Sequence, residues 1–193
     1  MRLINRLFLA LLSCALSVGV FAQTQDSTVV AAKDSVAPKK TKVFLEHANT
    51  LSFDKERNAE AQVLNGDVCF RHDSSYMYCD SAYFFEQTNS LEAFSNVRME
   101  QGDTLFVYGN YLFYDGNTQI AYLRENVRME NGQVTLFTDS LNYERIPDIG
   151  YYFDGGLIVD SLNQLSSFYG QYSPSTKLAI FCLLYTSPSP RDS

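Results

Sequence analysis

Residues 96–114 read NVRMEQGDTLFVYGNYLFY and residues 126–143 read NVRMENGQVTLFTDSLNY, the same sentence written twice with a turn one residue shorter. In each copy apolar side chains alternate, Val97 and Met99 before a turn and Leu105 and Val107 after it, then Val127 and Met129 followed by Val134 and Leu136. That is the period of a strand, not of a helix. The turns are Gln101-Gly102-Asp103 and Asn131-Gly132, the second a strong hairpin signal because both central residues accept positive φ. A small-then-polar step follows, Gly109-Asn110 or Thr138-Asp139, and across it the apolar parity slips by one, to Leu112 and Tyr114 or to Leu141 and Tyr143. A slip of one residue inside an extended run is what a bulge or corner produces when a strand bends from one sheet into a facing one.

Working outward, the same step occurs at Ala48-Asn49, Cys79-Asp80 and Gly170-Gln171, with Leu51 and Phe53 after the first and Ala82 and Phe84 after the second. Openings aligned on Val68, Val97, Val127 and Leu157 stand 29, 30 and 30 residues apart. Each unit then turns, through Asn89, Asp115-Gly116-Asn117 or Pro147-Asp148, and closes with a short strand such as 91–94 or 119–123. A repeat of this length that cannot bury its own apolar face must stack on its neighbours. The expected fold is all-β: a repeat-built, elongated jellyroll or folded-over β sheet, two facing antiparallel sheets over residues 43–181. Its end strands present unpaired edges that invite association with another copy or a related domain.

The chain has 193 residues, a net charge of -7 and 14% aromatic residues, which excludes wholesale disorder and makes a phosphate-tracking nucleic-acid binder a poor fit. Residues 1–22 carry Arg2, Arg6 and an apolar run from Leu7 to Val20, then Val20-Phe21-Ala22 before Gln23, the pattern of a cleaved secretory signal peptide. A rival reading makes Leu11-Leu12-Ser13-Cys14 a lipoprotein box, but the apolar run continues past Cys14. Its 14 residues fall short of the roughly 20 that a membrane helix needs. Residues 23–42 read as a flexible linker, and CLLYTSPSPRDS at 182–193, alien in pattern to what precedes it, as an adaptor-derived artefact that truncates the native chain.

Cys69 and Cys79 remain once the ends are set aside. In an exported protein they could form a disulfide across a hairpin only in a register that sets them directly opposite; two unpaired strand cysteines is the other reading. No metal site is expected, since there is no CxxC, and His47 and His72 lack ligand spacing and read as surface or hairpin-loop residues. Asp80 and Asp139 invite a glycosidase reading but sit at equivalent corners, where an Asp ordinarily hydrogen-bonds its own backbone. No Gly-x-Ser-x-Gly elbow or Gly-rich phosphate loop occurs, so neither an enzyme nor a cofactor is expected.

The recurring Gly/Asn-x-Val, turn, small-Asp/Asn-x-Leu-x-Tyr, Ala-x-Phe pattern resembles the lipopolysaccharide-transport OstA/LptA domain, a family that includes the N-terminal portion of the outer-membrane protein LptD. The resemblance covers residues 43–181. It implies a periplasmic carrier or bridge whose apolar groove holds the acyl chains of lipid A, with related jellyroll domains stacked end to end, in the periplasm or at the outer membrane. The expected groove lining, taken unit by unit, is Leu51 and Phe53; Val68, Phe70, Ala82 and Phe84; Val97, Met99, Leu105, Val107, Leu112 and Tyr114; and Val127, Met129, Val134, Leu136, Leu141 and Tyr143. The alternative is an exported repetitive β module for adhesion, binding glycan or protein through outward tyrosines, Tyr76, Tyr78, Tyr83, Tyr108, Tyr111, Tyr122, Tyr151 and Tyr152.

Overall fold

The structure is a computed structural model and describes residues 41–53 and 60–182. The signal, nearly all of the linker and residues 183–193 lie outside the described residues. Thirteen strands form one antiparallel sheet: β1 (Phe44–His47), β2 (Thr50–Phe53), β3 (Gln62–His72), β4 (Ser75–Phe85), β5 (Ser90–Gln101), β6 (Leu105–Asp115), β7 (Ile120–Asn131), β8 (Val134–Glu144), β9 (Ile149–Tyr152), β10 (Gly156–Val159), β11 (Gln164–Ser167), β12 (Tyr169–Ser173) and β13 (Leu178–Cys182). Six strands, β3 to β8, run 11 or 12 residues, and each neighbouring pair shifts register once, near its middle. β1 with β2, and β9 with β10, divide one strand's role between the two halves of their neighbour. Beyond β8 the halves separate, β10–β11 continuing one and β9–β12–β13 the other.

Each register shift gives one strand one residue more than its partner, two against one in β3–β4, β5–β6 and β7–β8 and three against two in β4–β5 and β6–β7, which is a bulge. Gly66-Asp67, Ser95-Asn96 and Glu125-Asn126 lie on the two-residue side, all at positive φ between 48° and 80°. Asp80, Asn110 and Asp139 lie on the one-residue side. The parity slip read from Leu105 to Tyr114 and from Val134 to Tyr143 therefore belongs to β6 and β8. In β3, β5 and β7 the inserted pair restores parity, so Asn96 and Asn126, read as openings, are corners. The step expected at Gly170-Gln171 is corrected: those residues pair without a shift to Tyr152 and Tyr151 in β12, and the break falls at Phe168, between β11 and β12. At the Asn131-Gly132 hairpin the central pair is Gly132-Gln133, since Asn131 still pairs with Val134, and Gly132 alone supplies the positive φ (63°).

The two halves face one another. His72 ends the first half of the fold at β3 and Tyr114 the second at β6, yet His72 Nδ1 lies 2.6 Å from the Tyr114 hydroxyl. The Phe70 and Phe84 rings are 5.4 Å apart, and Gly150 of β9 leaves space filled by the Met129 side chain of β7. The sheet is thus a single folded sheet with its corners as a spine, its hairpin turns as two lips and an apolar interior between them.

Candidate functional site

The interior is built from the residues that alternation turns inward. Val68, Phe70, Ala82, Phe84, Val97, Met99, Leu105, Val107, Leu112, Tyr114, Val127, Met129, Leu136, Leu141 and Tyr143 are all 5% exposed or less, and Val134 packs half-buried against them. Leu51 and Phe53 depart from this, at 49% and 61% exposed, because β2 is an outermost strand paired only with β3. The interior also takes in Leu64, Met77, Leu91, Ala93, Ala121, Leu123, Ile158 and Tyr172, which lie beyond the lining expected from the sequence. Tyr152, read as outward, is also buried, and its hydroxyl lies 2.6 Å from Ser167 Oγ.

The cysteines do not face each other. Cys79 stands opposite Val68 and points inward, while Cys69 stands opposite Tyr78 on the outer side; both thiols are free. Burial pushes the Cys79 thiol up to about 12. The corner acids bond across the bulge and not to their own backbone: Asn96 Nδ2 donates to Asp80 (2.7 Å) and the Asn126 amide donates to Asp139 (3.2 Å).

The edge opposite the corners is a polar seam that the sequence reading missed. Val43, His72, Gln101 and Asn131 line one lip at intervals of 29, 29 and 30 residues; Phe84, Tyr114, Tyr143 and Tyr172 line the other at 30, 29 and 29. Two of these pairs are hydrogen-bonded, His72 with Tyr114 and Asn131 Nδ2 with the Tyr172 hydroxyl at 3.3 Å, while the Tyr143 hydroxyl donates to Asp148 (2.6 Å) on its own lip. The signal that could have found them is the repeat itself, since each polar residue occupies an inward parity position one unit after the last.

His72, expected at the surface, is fully buried, and its bonds fix a direction of donation. Arg145 Nη1 donates to the Tyr114 oxygen (2.6 Å), and Tyr114 donates to His72 Nδ1. His72 Nε2 then donates to Thr41 Oγ1 (2.6 Å), which donates to Asp73 (3.0 Å). The chain runs from a guanidinium to a carboxylate through a neutral imidazole. Burial, then the Arg145 charge, hold His72 below its usual value, and burial pushes Tyr114 up to about 12. Arg145 Nε also donates to Gln101 (3.2 Å), another hydrogen bond across the seam. The first unit is strapped by residues 41–43: the Val43 amide donates to Asn89 Oδ1 on one lip, while Thr41 bonds His72 on the other.

The outer surface carries a different ladder. Arg98 stacks over Tyr78 and Arg128 over Tyr108, each at 4.4 Å, and each bridges to the glutamate two residues on, Glu100 at 3.2 Å and Glu130 at 3.1 Å. Among the described residues no cluster of His, Cys, Asp or Glu could hold a metal ion.

An unclosed antiparallel sheet folded over a continuous apolar interior is a folded-over β jellyroll. The chain belongs to the family of OstA-like proteins, whose family model matches residues 40–185. Among solved structures it is similar to LptH, the LptA-homologous periplasmic component of the lipopolysaccharide transport device of Pseudomonas aeruginosa, with a TM-score of 0.52 and 15% identity over 61% of this chain and 90% of that one. No curated protein matches.

Proposed function

We propose that this chain is a periplasmic carrier or bridge that shelters the acyl chains of lipopolysaccharide between the facing halves of its sheet. The observation that carries this reading is the continuity of the interior: every repeat contributes an inward methionine or aromatic, from Phe70 and Met77 through Met99 and Met129 to Tyr152, without a buried carboxylate between them. Each methylene kept from water contributes about 0.8 kcal/mol, so a chain of about fourteen carbons needs some 10 kcal/mol of shelter along its route. An apolar interior supplies that without bond-making, which also favours carriage over catalysis.

Export by the signal at residues 1–22 would put the domain in the periplasm. End-to-end association fits the outermost strands, where Phe44, Leu51 and Phe53 on one side and Leu178 and Ile180 on the other are each about half exposed or more. A photo-crosslinking amino acid at Val107 or Leu136 should capture lipopolysaccharide in cells, whereas one at Arg98 or Arg128 should not. Capture of glycan or protein at the outer positions, with no lipid at the inner ones, would replace carriage by the adhesion reading.

A further inference from the structure

The interior side chains touch across the fold and are almost wholly buried, so the halves must part to admit an acyl chain. At the spine they are joined by backbone running through every corner of β3 to β8. Along the opposite edge each hydrogen bond found between the lips involves a side chain. The weaker of the two edges is therefore the seam, and its strength is concentrated in one clasp per repeat.

We infer that this seam is a lateral gate: the His72–Tyr114, Gln101–Arg145 and Asn131–Tyr172 clasps hold the lips shut, with Arg145 also bonded to the first, and acyl chains enter between the lips by breaking them. The inference rests on the lipid-carriage reading for its ligand but not for its motion. Opening hinges at the bulges, where paired left-handed residues interrupt the ladder and no strand pairing has to be given up. The clasps suit a gate because they are polar contacts at the rim of an apolar interior. Parting them returns hydroxyls and amides to water, which offsets most of the loss, whereas a rim of leucines would resist parting along its whole length. Arg145 has a further consequence: it is 9% exposed, and its bonded partners are a phenol, an amide, an imidazole and a carbonyl, not a carboxylate. When the lips part, that cation is freed at the rim, where the anionic headgroup of an entering amphiphile lies.

Cys79 is a natural reporter, since it is an inward thiol that a reagent reaches only when the fold opens. In a chain with Cys14, Cys69 and Cys182 replaced by Ser, maleimide labelling of Cys79 should be slow. Tyr114→Phe, Gln101→Leu and Tyr172→Phe should each speed it about fivefold, and the three together on the order of a hundredfold, because each removes one ordinary hydrogen bond between the lips. The acceleration should persist in dilute urea with little slope, as for local opening, and Tyr108→Phe on the outer face should not produce it. Labelling of all three single variants at the parent rate would overturn the gate whether or not lipid binds.

Should the triple variant fail to fold, cysteines placed at the exposed lip residues Asp73 and Gln87 and bridged by a bis-maleimide should abolish lipopolysaccharide capture at a photo-probe on Leu136, with the unbridged protein still capturing. Equal capture by both would show entry from the ends and sink the gate while leaving carriage standing. Wild-type protein that captures no lipid, but whose clasp variants label faster, would sink carriage and leave the gate.

Discussion

His72 shows how one residue's setting makes a testable property of the fold. Its neutral form accepts from Tyr114 and donates to Thr41, and burial, then the Arg145 charge, lower its pKa below the ordinary 6.5 against the smaller opposing pull of Asp73. A proton on Nδ1 would remove the acceptor that Tyr114 needs and face the guanidinium 3.3 Å away. Because the unfolded chain binds that proton more readily, this contribution to stability is complete above about pH 6.5 and is lost as pH falls from there through the lowered folded value. Urea unfolding across pH 7.5 to 5 should show that loss, and His72→Gln should flatten it; an unchanged slope in the variant would place the titration elsewhere. In the lining, Leu136 is fully buried, so Leu136→Ala should cost about 2–5 kcal/mol. Leu136→Asp should cost more, since it leaves an unpaired charge in the same place, and denaturant titration reads both.

At the scale of elements, the bulges decide what the sequence could disclose. In β6 and β8 one residue stands at the corner, and the apolar parity visibly slips between Val107 and Leu112 and between Leu136 and Leu141. In β5 and β7 two left-handed residues stand there, parity is preserved, and nothing in a period-2 reading distinguishes Asn96 from the start of a strand. The inward rows were legible for the same reason that the sheet forms, namely that alternation puts every second side chain on one face. The seam was not, because Gln101 and Asn131 read as turn residues and His72 as a loop histidine until the lips are brought together. Residues 51 and 53 failed in the opposite sense: correct alternation cannot cover a strand with no neighbour beyond it. The hairpin at Gly132 gives this scale its prediction. With φ at 63° and no side chain, Gly132→Ala should cost about 1–2 kcal/mol, whereas Gln133→Ala beside it should be near neutral by thermal unfolding.

For the whole molecule, the sheet has one closed long side, one clasped long side and two outermost sets of strands with exposed apolar residues. If those strands pair end to end, Leu51→Lys with Phe53→Lys should reduce association in sedimentation velocity while leaving the far-ultraviolet β spectrum unchanged. The central claim, that acyl chains occupy the interior, has reporters already in place. Of the four methionines one is Met1, and the others, Met77, Met99 and Met129, are each 1% exposed in the lining of three successive hairpins. Methyl-labelled methionine should therefore give three interior signals from the folded domain. On addition of dispersed lipopolysaccharide the account predicts that all three shift and saturate together; three signals unmoved at saturating lipid would contradict it.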